Sequence, residues 1–165
     1  CKVGVTMNLP NWRYSKEFDW HDATDYSTKL GGIYFMDIIE GYRQALKKEG
    51  MPLDFLEIDY PYNYYLRNRR NGEKLRHLQA WCTRNKVPYN HVVNTTPKAG
   101  AKSFHDGVLA YIELLHKDQI RPDLMLIQSW YKQPATHIPE TEPYTSTYVG
   151  LKAAQKVKEL YGDAE

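Results

Sequence analysis

Carboxylates and aromatic rings are concentrated in one short segment, residues 57–65, which reads Glu-Ile-Asp-Tyr-Pro-Tyr-Asn-Tyr-Tyr. Alternate residues of a strand face the same side, so Glu57 and Asp59 would project from one face with Cα atoms about 7 Å apart. Two carboxyls, one protonated and one ionised, are the groups that most enzymes use to cleave a glycosidic bond. Asp59 ends the strand and is the better-placed candidate, whereas Glu57 lies deeper. Either side chain could instead be a salt-bridge partner inside the fold.

A further carboxyl could come from the last long loop. It carries Glu140 and Glu142 between two prolines, ahead of a helix that begins near Ser146. Glu140 is a third catalytic candidate. Glu142 and Thr145 have a simpler interpretation as residues at the entry of that helix, where negative charge is favourable.

The chain is rich in aromatic residues, with fourteen Tyr, four Trp and four Phe. A flat ring stacks on the apolar face of a sugar, so rings around a binding site are typical of carbohydrate recognition. The alternative is that the loops pack over one another and bury these rings as a second core. The aromatic residues of the predicted loops are Trp12, Tyr14, Phe18, Trp20, Tyr26, Tyr60, Tyr62, Tyr64, Tyr65, Trp130, Tyr131 and Tyr144.

Polar side chains also stand where each predicted strand ends. Because the carboxyl ends of parallel strands meet at one edge of a sheet, these residues and the nearby rings are candidates for substrate binding. The candidate set is Asn8, Trp12, Tyr60, Tyr62, Asn94, Gln128, Trp130 and Tyr131.

Four strands must alternate with four helices to position these residues. Hydrophobic periodicity predicts helices of ordinary length between short apolar strands, and Ser103 with Asp106 suggests a capping box. Alternating strands and helices imply a parallel sheet with right-handed crossovers in one α/β domain spanning residues 1–165. The predicted strands are Lys2–Asn8, Leu53–Asp59, Tyr89–Asn94 and Leu124–Gln128, and the predicted helices are Gly32–Lys48, Glu73–Asn85, a helix from Ser103, and Ser146–Tyr161.

The strands are expected to be apolar on one face only. In the second strand Leu56 and Ile58 share one face, while Phe55, Glu57 and Asp59 share the other. This pattern favours a TIM (β/α)8 barrel, whose interior turns polar toward its active-site mouth. Four units make half of such a barrel, so the chain would be a fragment or would pair with a second copy. The alternative is an open flavodoxin-like sheet, in which Glu57 would need a hydrogen bond beneath a helix.

The strand ends resemble the C-terminal half of a TIM-barrel glycoside hydrolase. The resemblance rests on Asp59 with Tyr60-Pro61, on Asn94, on Gln128-Ser129-Trp130 and on Pro139-Glu140-Thr141. It implies strands five to eight of the barrel, with Asp59, Asn94 and Trp130 at its mouth, and cleavage of a polysaccharide by carboxylates. A polysaccharide hydrolase would act outside the cell or in the periplasm.

The sequence departs from that family in its catalytic signature. No Asn-Glu dipeptide ends a strand, and Leu124–Gln128 contains no glutamate. These departures keep open a second hypothesis, a non-catalytic α/β module that binds glycan or a protein partner.

Composition excludes several other classes. The formal net charge of +2 gives little drive toward nucleic acid, and no apolar run is long enough for a membrane span. No dinucleotide, P-loop or Gly-x-Ser-x-Gly motif is present, so no cofactor is predicted.

The first long loop contains four potential metal ligands, which we interpret as ordinary loop residues and not as a metal site: Asp19, His21, Asp22 and Asp25. Cys1 and Cys82 do not form a disulfide framework, and Cys82 is predicted to be a buried thiol.

Overall fold

A computed structural model of the chain describes residues 2–96 and 100–162. It contains one four-stranded sheet in which all strands are parallel and lie in the order β1-β2-β3-β4. The predicted α/β architecture is therefore confirmed. The strands are β1 (Gly4–Asn8), β2 (Phe55–Asp59), β3 (Tyr89–Val93) and β4 (Leu124–Ile127).

Six α-helices are found in the described residues, four of them long. The long helices α2 (Phe35–Lys48), α4 (Asn71–Asn85), α5 (Ala101–Lys117) and α6 (Ser146–Tyr161) follow the four strands in turn. Two single-turn helices, α1 (Tyr26–Lys29) and α3 (Tyr62–Tyr65), and a 3-10 turn at Leu9–Asn11 lie within the predicted loops. None of the helices in the described part is long and apolar enough to cross a membrane.

The main core lies against one face of the sheet. The apolar residues of the four long helices pack with Leu56, Ile58 and Val93 in a single cluster of buried side chains. On the opposite face Thr6, Leu124 and Leu126 are exposed, and Glu57 is half-buried. The predicted division of the second strand into an apolar and a mixed face is thus observed.

Helix α5 shows why a regular apolar stripe is a strong signal. Periodicity predicts five inward-facing residues over about three turns of this helix, and all five are buried. These residues are Phe104, Val108, Tyr111, Ile112 and Leu115. Cys82, on α4, is likewise buried as predicted, while Cys1 lies outside the described residues.

Two predicted details of the helices are wrong. Helix α5 begins at Ala101 after Gly100, so Ser103 sits in its first turn and does not cap it; Asp106 bonds Lys102 instead. In α2, helical spacing predicts that Tyr42 faces inward, but Tyr42 is exposed and the buried residues are Phe35 and Ile39. The apolar residues of α2 point in more than one direction, so periodicity alone could not select the buried face.

Buried hydrogen bonds connect β3 to α5. Tyr89 Oη lies 2.7 Å from His91 Nδ1, His91 Nε2 lies 2.9 Å from Tyr111 Oη, and Tyr111 Oη donates to the carbonyl of Tyr60 at 2.6 Å. Tyr111 uses its hydrogen on that carbonyl, so His91 carries a proton on Nε2. Burial lowers the pKa of His91 to about 3. The network fixes the backbone of Tyr60, the residue after Asp59.

The long loop after β1 is fastened to α4 by a buried ion pair. Lys74 Nζ, which is fully buried, lies 3.3 Å from Asp22 Oδ2. Tyr60 Oη donates a hydrogen bond to the same carboxylate oxygen. Burial lowers the pKa of Lys74 to about 8, although Asp22 opposes this shift. The pair holds the loop against the end of β2.

Candidate functional site

A cleft of about 330 Å³ opens at the carboxyl ends of the strands. Five of the predicted site residues line it: Asn8, Asp59, Asn94, Trp130 and Tyr131. Pro61, Tyr64 and Thr96 complete the lining. The register places Asn8 directly beside Asp59, and β3 ends beside β2, so the parallel sheet itself brings the polar side chains together.

Asp59 is the centre of this cleft. Only 8% of its surface is exposed, and Asn8 Nδ2 donates to its Oδ2 at 3.0 Å. Its other oxygen, Oδ1, makes no hydrogen bond of good geometry with any described residue. A buried carboxylate oxygen without a partner is costly, so its position in a cleft points to a ligand that donates a hydrogen bond.

The pKa of Asp59 is raised above its ordinary value. Burial is the main cause, and the negative charge of Glu57 adds to it. The amides of Asn8 and Asn94 act in the opposite direction by favouring the ionised carboxylate. The balance favours the protonated acid more than in a solvated aspartate.

Asn94 supplies a second buried oxygen without a partner. Asn94 is 1% exposed, and its Oδ1 makes no hydrogen bond with the described residues. The backbone carbonyl of Asn94 accepts from the Tyr62 amide at 2.8 Å, which fixes the end of β3 against α3. A third such oxygen, Asn63 Oδ1, lies outside the lining of the cleft.

A relay of side chains orients Asn8. The Thr24 amide donates to Asn11 Oδ1 at 2.9 Å, and Asn11 Nδ2 donates to Asn8 Oδ1 at 2.7 Å. Asn8 is therefore locked with its amide nitrogen toward Asp59. Sequence reasoning missed Asn11, although the Asn-x-x-Asn spacing across a tight turn is a signal that could have suggested it.

Two exposed rings stand at the rim of the cleft. Trp130 is 64% exposed and Tyr131 is 52% exposed. Ser129 Oγ donates to the carbonyl of Gln133 at 2.5 Å and lies 3.3 Å from the Tyr131 amide, which shapes the turn that carries both rings. Large exposed aromatic residues beside a polar cleft are suited to stacking against a ligand.

Other predicted site residues lie outside the lining of the cleft. Glu57 is one step deeper on the same sheet face and accepts from Thr6 Oγ1 at 3.1 Å. Tyr60 is fully buried on the helix side, and Tyr62 stacks on Tyr111 with 5.2 Å between ring centroids. Gln128 is half-buried just after β4.

The two remaining candidates are on the loops. Trp12 packs against Tyr26 with 5.5 Å between ring centroids, and Glu140 is exposed in the loop before α6. Much of the loop aromatic content serves packing, since Tyr14, Phe18 and Tyr65 are buried in the core as well.

A larger hollow of about 370 Å³ lies between β4 and α6. Its walls are mostly apolar, and none of the buried oxygens without partners belongs to it. We therefore place the candidate site at the Asp59 cleft. Among the described residues, no group of three or more His, Cys, Asp or Glu side chains is arranged to hold a metal ion.

Comparison with protein-family models, with curated proteins and with solved structures found no match to this chain.

Proposed function

We propose that this chain forms half of a TIM (β/α)8 barrel that hydrolyses a glycosidic bond, with Asp59 as the general acid. The observation that carries the proposal is the buried Asp59 carboxyl, whose Oδ1 has no hydrogen-bond partner in the described part of the chain and lies in a cleft rimmed by exposed aromatic rings. A protonated Oδ1 would donate to the oxygen of the leaving sugar, while Asn8 holds Oδ2.

Two features of the sheet support a barrel over a flavodoxin-like sheet. Consecutive strands are neighbours throughout, whereas a doubly wound sheet reverses its strand order at a switch point. The helix core also packs on one face, which leaves Leu124 and Leu126 exposed on the other, as the inward residues of an incomplete barrel would be.

The rim rings support carbohydrate as the ligand. Trp130 and Tyr131 offer flat apolar surfaces, and Asn94 Oδ1 is an acceptor for a sugar hydroxyl. A hydrolase also needs a second carboxyl, and Glu57 and Glu140 are the candidates.

A second candidate function is carbohydrate binding without hydrolysis. It is favoured by the fact that Asp59 is the single carboxylate among the described residues that line the cleft.

Hydrolysis and binding by Asp59→Asn test the proposal. Wild-type chain should release reducing sugar ends from at least one member of a panel of neutral and acidic soluble polysaccharides. Asp59→Asn should bind the same polysaccharide but turn it over about 100-fold or more slowly, because general acid catalysis contributes that much. Glu113→Gln, which neutralises an exposed carboxylate on α5, is the matched control and should keep full turnover.

The outcomes separate the two candidates. Binding without product release by the wild type would support the binding module. Unchanged turnover in Asp59→Asn would remove Asp59 from the mechanism, and the lack of both binding and turnover would overturn the carbohydrate proposal.

A further inference from the structure

Another hollow, of about 380 Å³ and distinct from the one between β4 and α6, lies beside the Asp59 cleft. It is lined by Trp20, His21, Asp22, Ala23, Arg67 and Asn68. The two sites share a wall, because the guanidinium of Arg67 lies 4.4 Å from the centroid of the Tyr64 ring and Tyr64 lines the cleft. A ligand that extends from the cleft across Tyr64 would therefore reach Arg67.

Arg67 is held in place by neutral groups. Its Nη1 donates to the backbone carbonyl of Asp22, and its plane rests on the Tyr64 ring. Within the described part of the chain no carboxylate pairs with Arg67, and the other N–H groups of its guanidinium make no hydrogen bond. An oriented guanidinium with unused donors loses little conformational entropy when it binds an anion.

The other charges of this hollow are already balanced. The Asp22 carboxylate is buried against Lys74, with 3.3 Å between Oδ2 and Nζ, so it presents little negative charge to a ligand. His21 Nδ1 lies 3.0 Å from the Ala23 carbonyl, and His21 Nε2 lies 3.7 Å from Asp25 Oδ2. The unbalanced charge at the hollow is therefore the positive charge of Arg67.

We propose that the hollow is a subsite for a carboxylate or sulfate group, so that the carbohydrate bound at the Asp59 cleft is an acidic one. This inference rests on the proposed function for the nature of the ligand, but the anion subsite itself does not. The fork of Arg67 matches a planar carboxylate or one face of a sulfate through two parallel hydrogen bonds. Tyr64 would lie between the anionic group and the sugar that occupies the cleft.

Sulfate alone tests the subsite. We expect sodium sulfate, added at constant ionic strength against sodium chloride, to shift the side-chain Nε–H signal of Arg67 saturably in NMR spectra. Arg67→Gln should lose sulfate binding, as read from backbone amide shifts around the hollow, and Arg67→Lys should weaken it, because an ammonium lacks the planar fork. Arg69→Gln removes an exposed neighbouring charge that does not line the hollow, and it should bind sulfate as the wild type does. Equal sulfate binding by Arg67→Gln and wild type would overturn the subsite.

Oligosaccharides test the ligand class. We expect a galacturonic acid trimer or its sulfated neutral counterpart to bind about tenfold more tightly than a neutral galactose trimer, in a salt-dependent way. The difference between the two anionic trimers identifies which group the subsite prefers. Arg67→Gln should abolish the preference for an anionic trimer, whereas Arg69→Gln should keep it. Equal affinity of the wild type for all three trimers would overturn the acidic-ligand inference.

The same experiments distinguish failure of this inference from failure of the proposed function. Sulfate binding that depends on Arg67, without binding of any trimer, would keep the anion subsite and contradict the carbohydrate proposal. Tight binding of the neutral trimer, with turnover that depends on Asp59, would keep the hydrolase proposal and contradict the acidic ligand.

Discussion

Asp59 stands where two influences oppose its ionisation: burial and the nearby charge of Glu57. A residue that only stabilised the fold would be expected to have both carboxylate oxygens satisfied, yet Oδ1 lacks a partner. Unsatisfied buried groups and perturbed pKa values are more frequent at functional sites than elsewhere. Asp59 therefore resembles the residues that serve binding or catalysis, and its buried carboxyl lowers the stability of the fold.

We expect Asp59→Asn to raise the free energy of unfolding at pH 7, because burial opposes ionisation of the wild-type carboxyl. The pKa of Asp59 in the folded protein lies above its ordinary value of 3.8. The protonated side chain therefore contributes fully to the stability of the fold below pH 3.8, and this contribution is lost as the pH rises through the folded-state pKa. The cost of burying an ionised carboxylate grows as the pH rises. An amide removes this cost and can still accept from Asn8 Nδ2.

Urea unfolding at pH 7 and pH 4 measures this effect. The gain of Asp59→Asn over wild type should shrink at pH 4, because the wild-type carboxyl is then largely protonated. Glu113→Gln, at an exposed site, should change stability little at either pH. A loss of stability in Asp59→Asn at pH 7 would contradict the raised pKa.

At the residue scale the sequence predicted which strand-end side chains meet but not how they are held. Asn8, Asp59 and Asn94 could be predicted because parallel strands end at a common edge. The burial of Tyr60 and the stacking of Tyr62 on Tyr111 could not be predicted, because they depend on the path that the chain takes after β2. Composition likewise cannot separate rings that pack in the core, such as Tyr14, from exposed rings such as Trp130.

Among the elements, helix α5 packs against the end of β3, next to the cleft residue Asn94. It approaches the end of β3 at Gly107, where an added Cβ would lie 2.7 Å from Thr95 Oγ1 and 2.9 Å from its Cγ2. Thr95 is buried and follows Asn94 directly. The absence of a side chain at Gly107 therefore allows the helix to support the strand end that carries Asn94.

Gly107→Ala is expected to destabilise the protein by about 1–3 kcal/mol and to weaken ligand binding, because Thr95 must shift and move Asn94 with it. The matched control is Gly41→Ala in α2, where an added Cβ meets nothing within 4 Å. That change should stabilise the protein by about 0.5–1 kcal/mol through helix propensity. The two variants should be compared by thermal unfolding.

A second substitution separates steric overlap from other effects. Gly107→Ala combined with Thr95→Ala removes the overlapping atoms and should recover part of the lost stability. If Gly107→Ala alone were as stabilising as Gly41→Ala, the proposed support of the strand end by α5 would be wrong.

Element boundaries were predictable where a single periodic pattern dominated. The range of α6 was predicted fully, and its N-cap is Thr145, whose side chain accepts from the Tyr148 amide at 3.2 Å. The start of α5 was placed too late because Ser103 and Asp106 imitate a capping box inside the first turn of the helix. A local capping pattern therefore did not outweigh the helix formers Ala101 and Lys102 that precede it.

For the whole molecule, the open face of the sheet and its two outer strands decide how the chain behaves. In the described sheet β1 and β4 each pair with one neighbour, and Leu124 and Leu126 are exposed on the face away from the helix core. Unpaired parallel edges and exposed apolar side chains favour association with other chains.

We expect the 165-residue chain to self-associate at micromolar concentration, since the proposed half-barrel lacks its opposite wall. Analytical ultracentrifugation measures this directly. Leu124→Ser combined with Leu126→Ser should shift the population toward monomer, because it removes apolar surface from the open face. A compact wild-type monomer that unfolds cooperatively would favour the flavodoxin-like alternative over the half-barrel.

A crystal structure of the chain soaked with oligosaccharide tests most directly whether the Asp59 cleft binds carbohydrate. We predict that a sugar ring stacks on Trp130 or Tyr131 and that its polar groups lie within hydrogen-bond distance of Asp59 Oδ1 and Asn94 Oδ1. Asn94→Ala should reduce the occupancy of that sugar under the same soak. Carbohydrate bound elsewhere, or a cleft that stays filled by solvent at millimolar ligand, would contradict the account.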